Sequence, residues 1–140
     1  MATSTAQRGP SATEMPSAGS IRTFLLVEST TFLSAAAFHF GVFLPGFAHG
    51  AAAAAETVIA SVLLGGLLAT WIRPRTVRGI ALTVQGFALV GTFVGLFTIA
   101  IGIGPRTVPD IVIHVIMVIE LVWGLVVTAR ARIDPAGAAS

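Results

Sequence analysis

The feature that most restricts this chain is a succession of four long apolar runs separated by short polar or turn-forming connections. A hydrocarbon core about 30 Å thick takes roughly 20 residues of helix to cross, and the runs, over 22-44, 51-72, 79-103 and 109-129, each approach that length. The first stops at Pro45-Gly46, and the second opens on Ala51 to Ala55 and stops before Arg73-Pro74-Arg75. Backbone polar groups cannot be left unpaired in lipid, so unalternating runs of this length are helices. Short connections make neighbours antiparallel. The expected fold is all-α, four transmembrane helices in an up-down-up-down bundle.

Composition removes the soluble alternative. The 140 residues are 55% hydrophobic and only 10% charged, against roughly 25% charged residues in a soluble domain. A soluble bundle also needs a polar face on every helix, and GVFLPGF and ASVLLGGLLATWI have none. With no cysteine, disulfides and thiol chemistry are excluded. No basic cluster interleaved with aromatics points to nucleic acid, so the expected partner is the lipid bilayer. All eight basic residues are arginines; this Lys-free, Ala/Gly/Arg-rich usage suggests a GC-rich bacterial genome.

Those arginines orient the bundle. Arg8, Arg22, Arg73, Arg75, Arg78, Arg130 and Arg132 fall on one side of a four-span topology and only Arg106 on the other. The positive-inside rule places the first side in the cytoplasm of a bacterial plasma membrane, with Trp71 as an interfacial anchor. The chain then divides into a disordered cytoplasmic tail over 1-20, a transmembrane domain over 21-132 and a cytoplasmic tail over 133-140. Arg8 is followed by GPSATEMPSAGS, so the first run reads as an uncleaved anchor.

Small residues suggest where helices meet. Ser61, Gly65 and Ala69 recur at every fourth position, and Gly91 and Gly95 form a GxxxG pair. The tetrapeptide PRTV occurs at 74-77 and 105-108, each copy before a helix, where its threonine can cap free N–H groups.

An ionisable side chain costs roughly 2.5–3.5 kcal/mol inside a membrane helix on insertion scales, which makes each one a candidate for function. Here these are Glu28, His39, Glu56, His114 and Glu120, with His49 and Asp110 at the edges. His39, Glu56 and His114 fall at similar depth in the outer half of three different helices. Two imidazoles and a carboxylate converging there suit a transition metal, and His39 and His114 suit axial ligation of haem b. Each also has a plainer role: Asp110, after Thr107 and Pro109, as a capping acid; His49 as a loop residue; His39 and His114 as inter-helix hydrogen-bond partners. Glu28 lies about 16 Å from His39 on the same helix face, too far to share a metal, and is a candidate proton-binding residue or a partner for Thr31 or Gln85. Glu120 has no evident partner.

No nucleotide-binding glycine loop, HExxH or GxSxG occurs, so the residues offer no soluble-type catalytic motif. The leading expectation is a metal- or haem-binding bundle with a redox or metal-handling role. Two alternatives stay open: an accessory subunit of a larger membrane complex, docking through small-residue faces and Glu120, and a proton-coupled small transporter assembled as a homo-oligomer.

Segments such as RTFLLVEST and VGLFTIAIGIGPRTVPD resemble uncharacterised small bacterial four-helix membrane proteins. The format resembles that of DoxX-like proteins and, more distantly, small multidrug transporters with one acidic residue in the first helix. Glu28 is the residue that the second resemblance implies.

Overall fold

The computed structural model of the protein describes residues 16–131. Of the tail expected to be disordered over 1-20, residues 1-15 lie outside the described residues, as do Arg8, Arg132 and the segment 133-140, whereas Ala18 to Ser20 are helical and open the first span. Four helices account for nearly all of the rest: α1 (Ala18–His39), α2 (Gly50–Ile72), α3 (Val77–Ile101) and α4 (Val108–Arg130). Two single 3-10 turns, Pro45–Phe47 and Pro74–Thr76, sit in the first two connections. Consecutive helices pack side by side, α4 closes the ring against α1, and α1 also touches α3 across the centre. The start of α1, the end of α4 and the α2–α3 connection share one end, called here the arginine end. The α1–α2 and α3–α4 connections form the other, the histidine end.

Helix limits follow from caps more than from hydropathy. α1 begins at Ala18, four residues before the apolar run, because Ser17 accepts from the Ser20 amide and Ser20 accepts in return. It ends at His39, five residues before the run does. Gly41 adopts a left-handed φ of 77°, which only glycine takes without strain, and the Gly41 and Val42 amides turn back to Phe38 and Ala37 carbonyls. Phe40, Val42, Phe43 and Leu44 therefore lie exposed in the connection and not in the span. At α3 the helix stops at Ile101, before Gly102 with φ 86°. There the Arg106 guanidinium donates to the Ile99 and Ala100 carbonyls, both at 2.8 Å.

The two PRTV copies behave differently. Thr107 caps α4 through a reciprocal box with Asp110, as expected. Thr76 makes no cap bond and donates instead to the Arg73 carbonyl. The preceding turn has already set the entry of α3.

All four helices are long and apolar enough to cross a membrane. Their outward surface carries Leu68, Val90, Phe93, Phe97, Ile119 and Trp123, all more than half exposed. Water would not stabilise such a surface, and lipid does. This is a multi-pass membrane protein.

The interior is correspondingly polar in places. Ile21, Leu25, Phe32, Leu63, Met117 and Leu121 form the apolar core, yet Glu28, His39, Glu56, Gln85, Asp110 and His114 are buried among them. Small residues allow the close approach, though not at every position the spacing suggests. Gly65 meets nothing and Ser61 is exposed; the contact falls one residue later, at Gly66, where an added Cβ would meet the Val84 methyls. Gly91 and Gly95 do mark contacts, against Ile59 of α2 and His114 of α4.

Candidate functional site

The histidine end holds a chain of three buried groups from three helices. His39 is the last residue of α1, fixed by its carbonyl, which accepts from the His49 amide at 2.8 Å. Its ring is almost wholly enclosed. Nδ1 lies 2.7 Å from Oε2 of Glu56, on the second turn of α2, and Nε2 lies 3.0 Å from Oδ1 of Asp110, in the first turn of α4. The other oxygen of Asp110 accepts from the Thr107 amide and hydroxyl. Asp110 therefore caps its helix, as the sequence suggests, and holds the imidazole as well.

Elementary proton counting describes this triad. Carboxylate oxygens only accept, so both contacts to the ring are hydrogen bonds only if two protons are shared among the three groups. The triad then carries one net negative charge, whether the imidazole is an imidazolium between two carboxylates or one acid is neutral. Of the four carboxylate oxygens only Oε1 of Glu56, which is buried, has no hydrogen-bond partner.

Glu56 borders a cleft. About 180 Å³ of space lies between α2, α3 and α4, walled by Ile59, Gly91, Gly95 and Met117, with His49, Gly104 and Pro105 towards the loops. His114 lines it too. The Nδ1 of His114 donates to the Asp110 carbonyl one turn earlier, at 2.8 Å, so in the neutral ring Nε2 is a bare acceptor. Gly95 makes room for that nitrogen, since a Cβ there would lie 2.9 Å from it.

The expected ligand set of His39, Glu56 and His114 is thus only partly assembled. His39 and Glu56 meet, but Asp110 takes the third place and His114 stands apart on the cleft wall. Both nitrogens of His39 are engaged with carboxylates, leaving none to ligate a metal or a haem iron. Among the described residues no three His, Asp, Glu or Cys side chains are placed to hold a metal ion. At about 180 Å³ the cleft is also too small for a haem. His49 is more than a loop residue: its Nδ1 accepts from the Ala52 amide and caps α2.

A second polar centre lies in the arginine half of the bundle. Glu28 of α1 is fully buried, and the Gln85 side-chain amide of α3 donates to its Oε1 at 2.8 Å. The Gln85 carbonyl oxygen accepts from Thr128 of α4 at 3.0 Å. Oε2 of Glu28 has no partner. Gly124 permits this arrangement, because a Cβ there would run into Glu28 and Gln85. Of the two neighbours expected for Glu28, Gln85 is the one it meets; Thr31 instead shares its hydroxyl proton between the Val27 carbonyl at 3.1 Å and Glu120 at 3.3 Å. No cation reaches Glu28 among the described ion pairs, all of which involve His39.

At the arginine end, Arg22 donates to the Thr70 hydroxyl and carbonyl and lies 4.0 Å from the centre of the Trp71 ring. This stack joins α1 to α2. Sequence reasoning missed the pairing of Asp110 with His39. The available signal was depth, since Asp110, His39 and Glu56 all lie within two turns of the same end. No family model, curated protein or solved structure matches the chain.

Proposed function

We propose that the protein is a proton-exchanging membrane bundle, the proton-coupled small transporter among the readings open to its sequence, with Glu56, His39 and Asp110 as the exchange site. The observation that supports this is the unpartnered Oε1 of Glu56, on a buried triad that already carries a net negative charge. An uncompensated buried charge is costly, and a proton arriving at Oε1 neutralises it. Loading and release are therefore the chemistry these residues suit best.

Five arginines among the described residues, Arg22, Arg73, Arg75, Arg78 and Arg130, lie at one end and Arg106 alone at the other. That asymmetry favours cytoplasmic termini in a bacterial plasma membrane, and the triad then faces outward. Glu28, without a cation, is a second proton-binding residue nearer the cytoplasm. The metal or haem reading has less support, because His39 has no nitrogen to give. The Glu120–Thr31 bond between α1 and α4 likewise weakens the reading of Glu120 as a docking residue for a larger complex.

Infrared difference spectra of the protein in bilayers, recorded between acidic and alkaline pH, test the proposal. A protonated-carboxyl C=O band should appear on acidification, and the component of it that belongs to Glu56 should be missing in Glu56→Gln. A spectrum without a titrating carboxyl band, or one unchanged by the substitution, overturns the reading.

A further inference from the structure

The cleft beside the triad combines a greasy wall with two acceptors in its depth, and its spare side-chain donor, the Nε2–H of His49, stands at the rim. Its lining is mostly alanine, glycine and aliphatic or sulfur-containing side chains. The hydroxyls on its α3 wall are spent, since Thr92 donates to the Ala88 carbonyl and Thr98 to the Gly95 carbonyl. What is left is the unpartnered Oε1 of Glu56, on a residue only 5% exposed, and the bare Nε2 of His114. Arg106, the one arginine at this end, is committed to the last carbonyls of α3.

Resting on the proton-exchange reading, we infer that this cleft binds a small organic ammonium ion with an apolar body, its head group donating to Oε1 of Glu56 and its body lying against Ile59, Met117 and the α3 glycines. An ammonium supplies several N–H donors and one positive charge, which is what the acceptor pair and the net negative triad lack. A bare metal ion gains much less, because the apolar wall offers too few further donors to complete its coordination. Size sets the class further. A protein cavity of about 150 Å³ accommodates benzene, so about 180 Å³ takes a ring or short chain bearing one amine.

The ammonium and the proton compete for the same oxygen. The titratable groups facing Glu56 are His39 on α1 and Asp110 and His114 on α4; His49 lies at the rim, and the α3 wall contributes none. Where Oε1 is loaded, amine binding therefore releases its proton, and binding strengthens as the pH rises, for as long as the amine stays charged.

Isothermal titration of the full chain in lipid nanodiscs with benzylammonium tests this, with benzyl alcohol and Zn²⁺ as separate probes. Expected are saturable benzylammonium binding with proton release, at least tenfold weaker binding of benzyl alcohol, and at least tenfold weaker benzylammonium binding by Glu56→Gln. Ala52→Phe, which puts a ring into the cleft from α2, should weaken binding similarly and does so while leaving the carboxylate in the chain. No saturable binding, equal affinity for benzyl alcohol, or tight Zn²⁺ binding that excludes the amine overturns the inference. If benzylammonium fails to bind while the Glu56-dependent carboxyl band still titrates, the ligand class is wrong and the proton-exchange reading stands. Loss of both removes the two together.

Discussion

His39→Leu is expected to lower the unfolding free energy of the bundle by about 3–5 kcal/mol at neutral pH, the usual cost of deleting one partner from a buried ionic group. The ring separates Glu56 from Asp110 and bonds to both. Without it, two buried carboxyls face a cavity with nothing to share a proton. The loss should shrink on acidification, because each acid can then take up its own proton. It should also shrink in the triple variant with Glu56→Gln and Asp110→Asn, since neutral amides do not repel. Reversible unfolding in mixed detergent micelles, followed by circular dichroism, measures each difference. A His39→Leu protein within about 1 kcal/mol of the parent would mean that the three groups do not depend on one another.

Gly124→Ala carries the second large effect, at the other polar centre. A methyl group on α4 at this position enters the space of the Glu28 carboxyl and the Gln85 amide. The bond between those two then has to break or the helices have to part, at about 1–3 kcal/mol. Combining it with Glu28→Ala should cost less than the sum of the single changes, because the second substitution removes the obstacle. Strict additivity in that cycle would place the strain elsewhere. The same unfolding assay serves, and a parallel infrared spectrum shows whether the Glu28 carboxyl has moved.

The spans were legible because lipid imposes one simple rule on length and hydropathy, and the four runs obey it. The ends were less so. Phe40 to Leu44 is apolar enough to extend a span, but the left-handed Gly41 ends α1 first, and a hydropathy window does not register a backbone dihedral. Packing faces were legible only to within a residue. The fourfold spacing at Ser61, Gly65 and Ala69 is real, yet neighbouring Gly66 makes the contact, since periodicity describes a stripe without saying which neighbour it meets.

At the candidate site, depth alone correctly grouped the residues of the histidine end. It could not rotate the helices. His114 shares its level with His39 and Glu56 but turns its Nδ1 into its own helix, while Asp110, expected only to cap, reaches across to α1. One carboxylate has two oxygens, and a cap uses only one of them. Glu28 and Gln85 were paired correctly as candidates, whereas the relay on to Thr128 needs the geometry of α4, which a threonine near a helix end does not reveal.

Solid-state nitrogen NMR of the protein in bilayers, with ¹⁵N-labelled histidine assigned through His39→Gln, tests the triad most directly. Two shared protons put hydrogen-bonded character on both ring nitrogens of His39, and both resonances should shift together between alkaline and acidic pH, with Glu56→Gln changing Nδ1 more than Nε2. An ordinary neutral ring, with one bare nitrogen at a position that ignores both the pH and the Glu56 substitution, would contradict it.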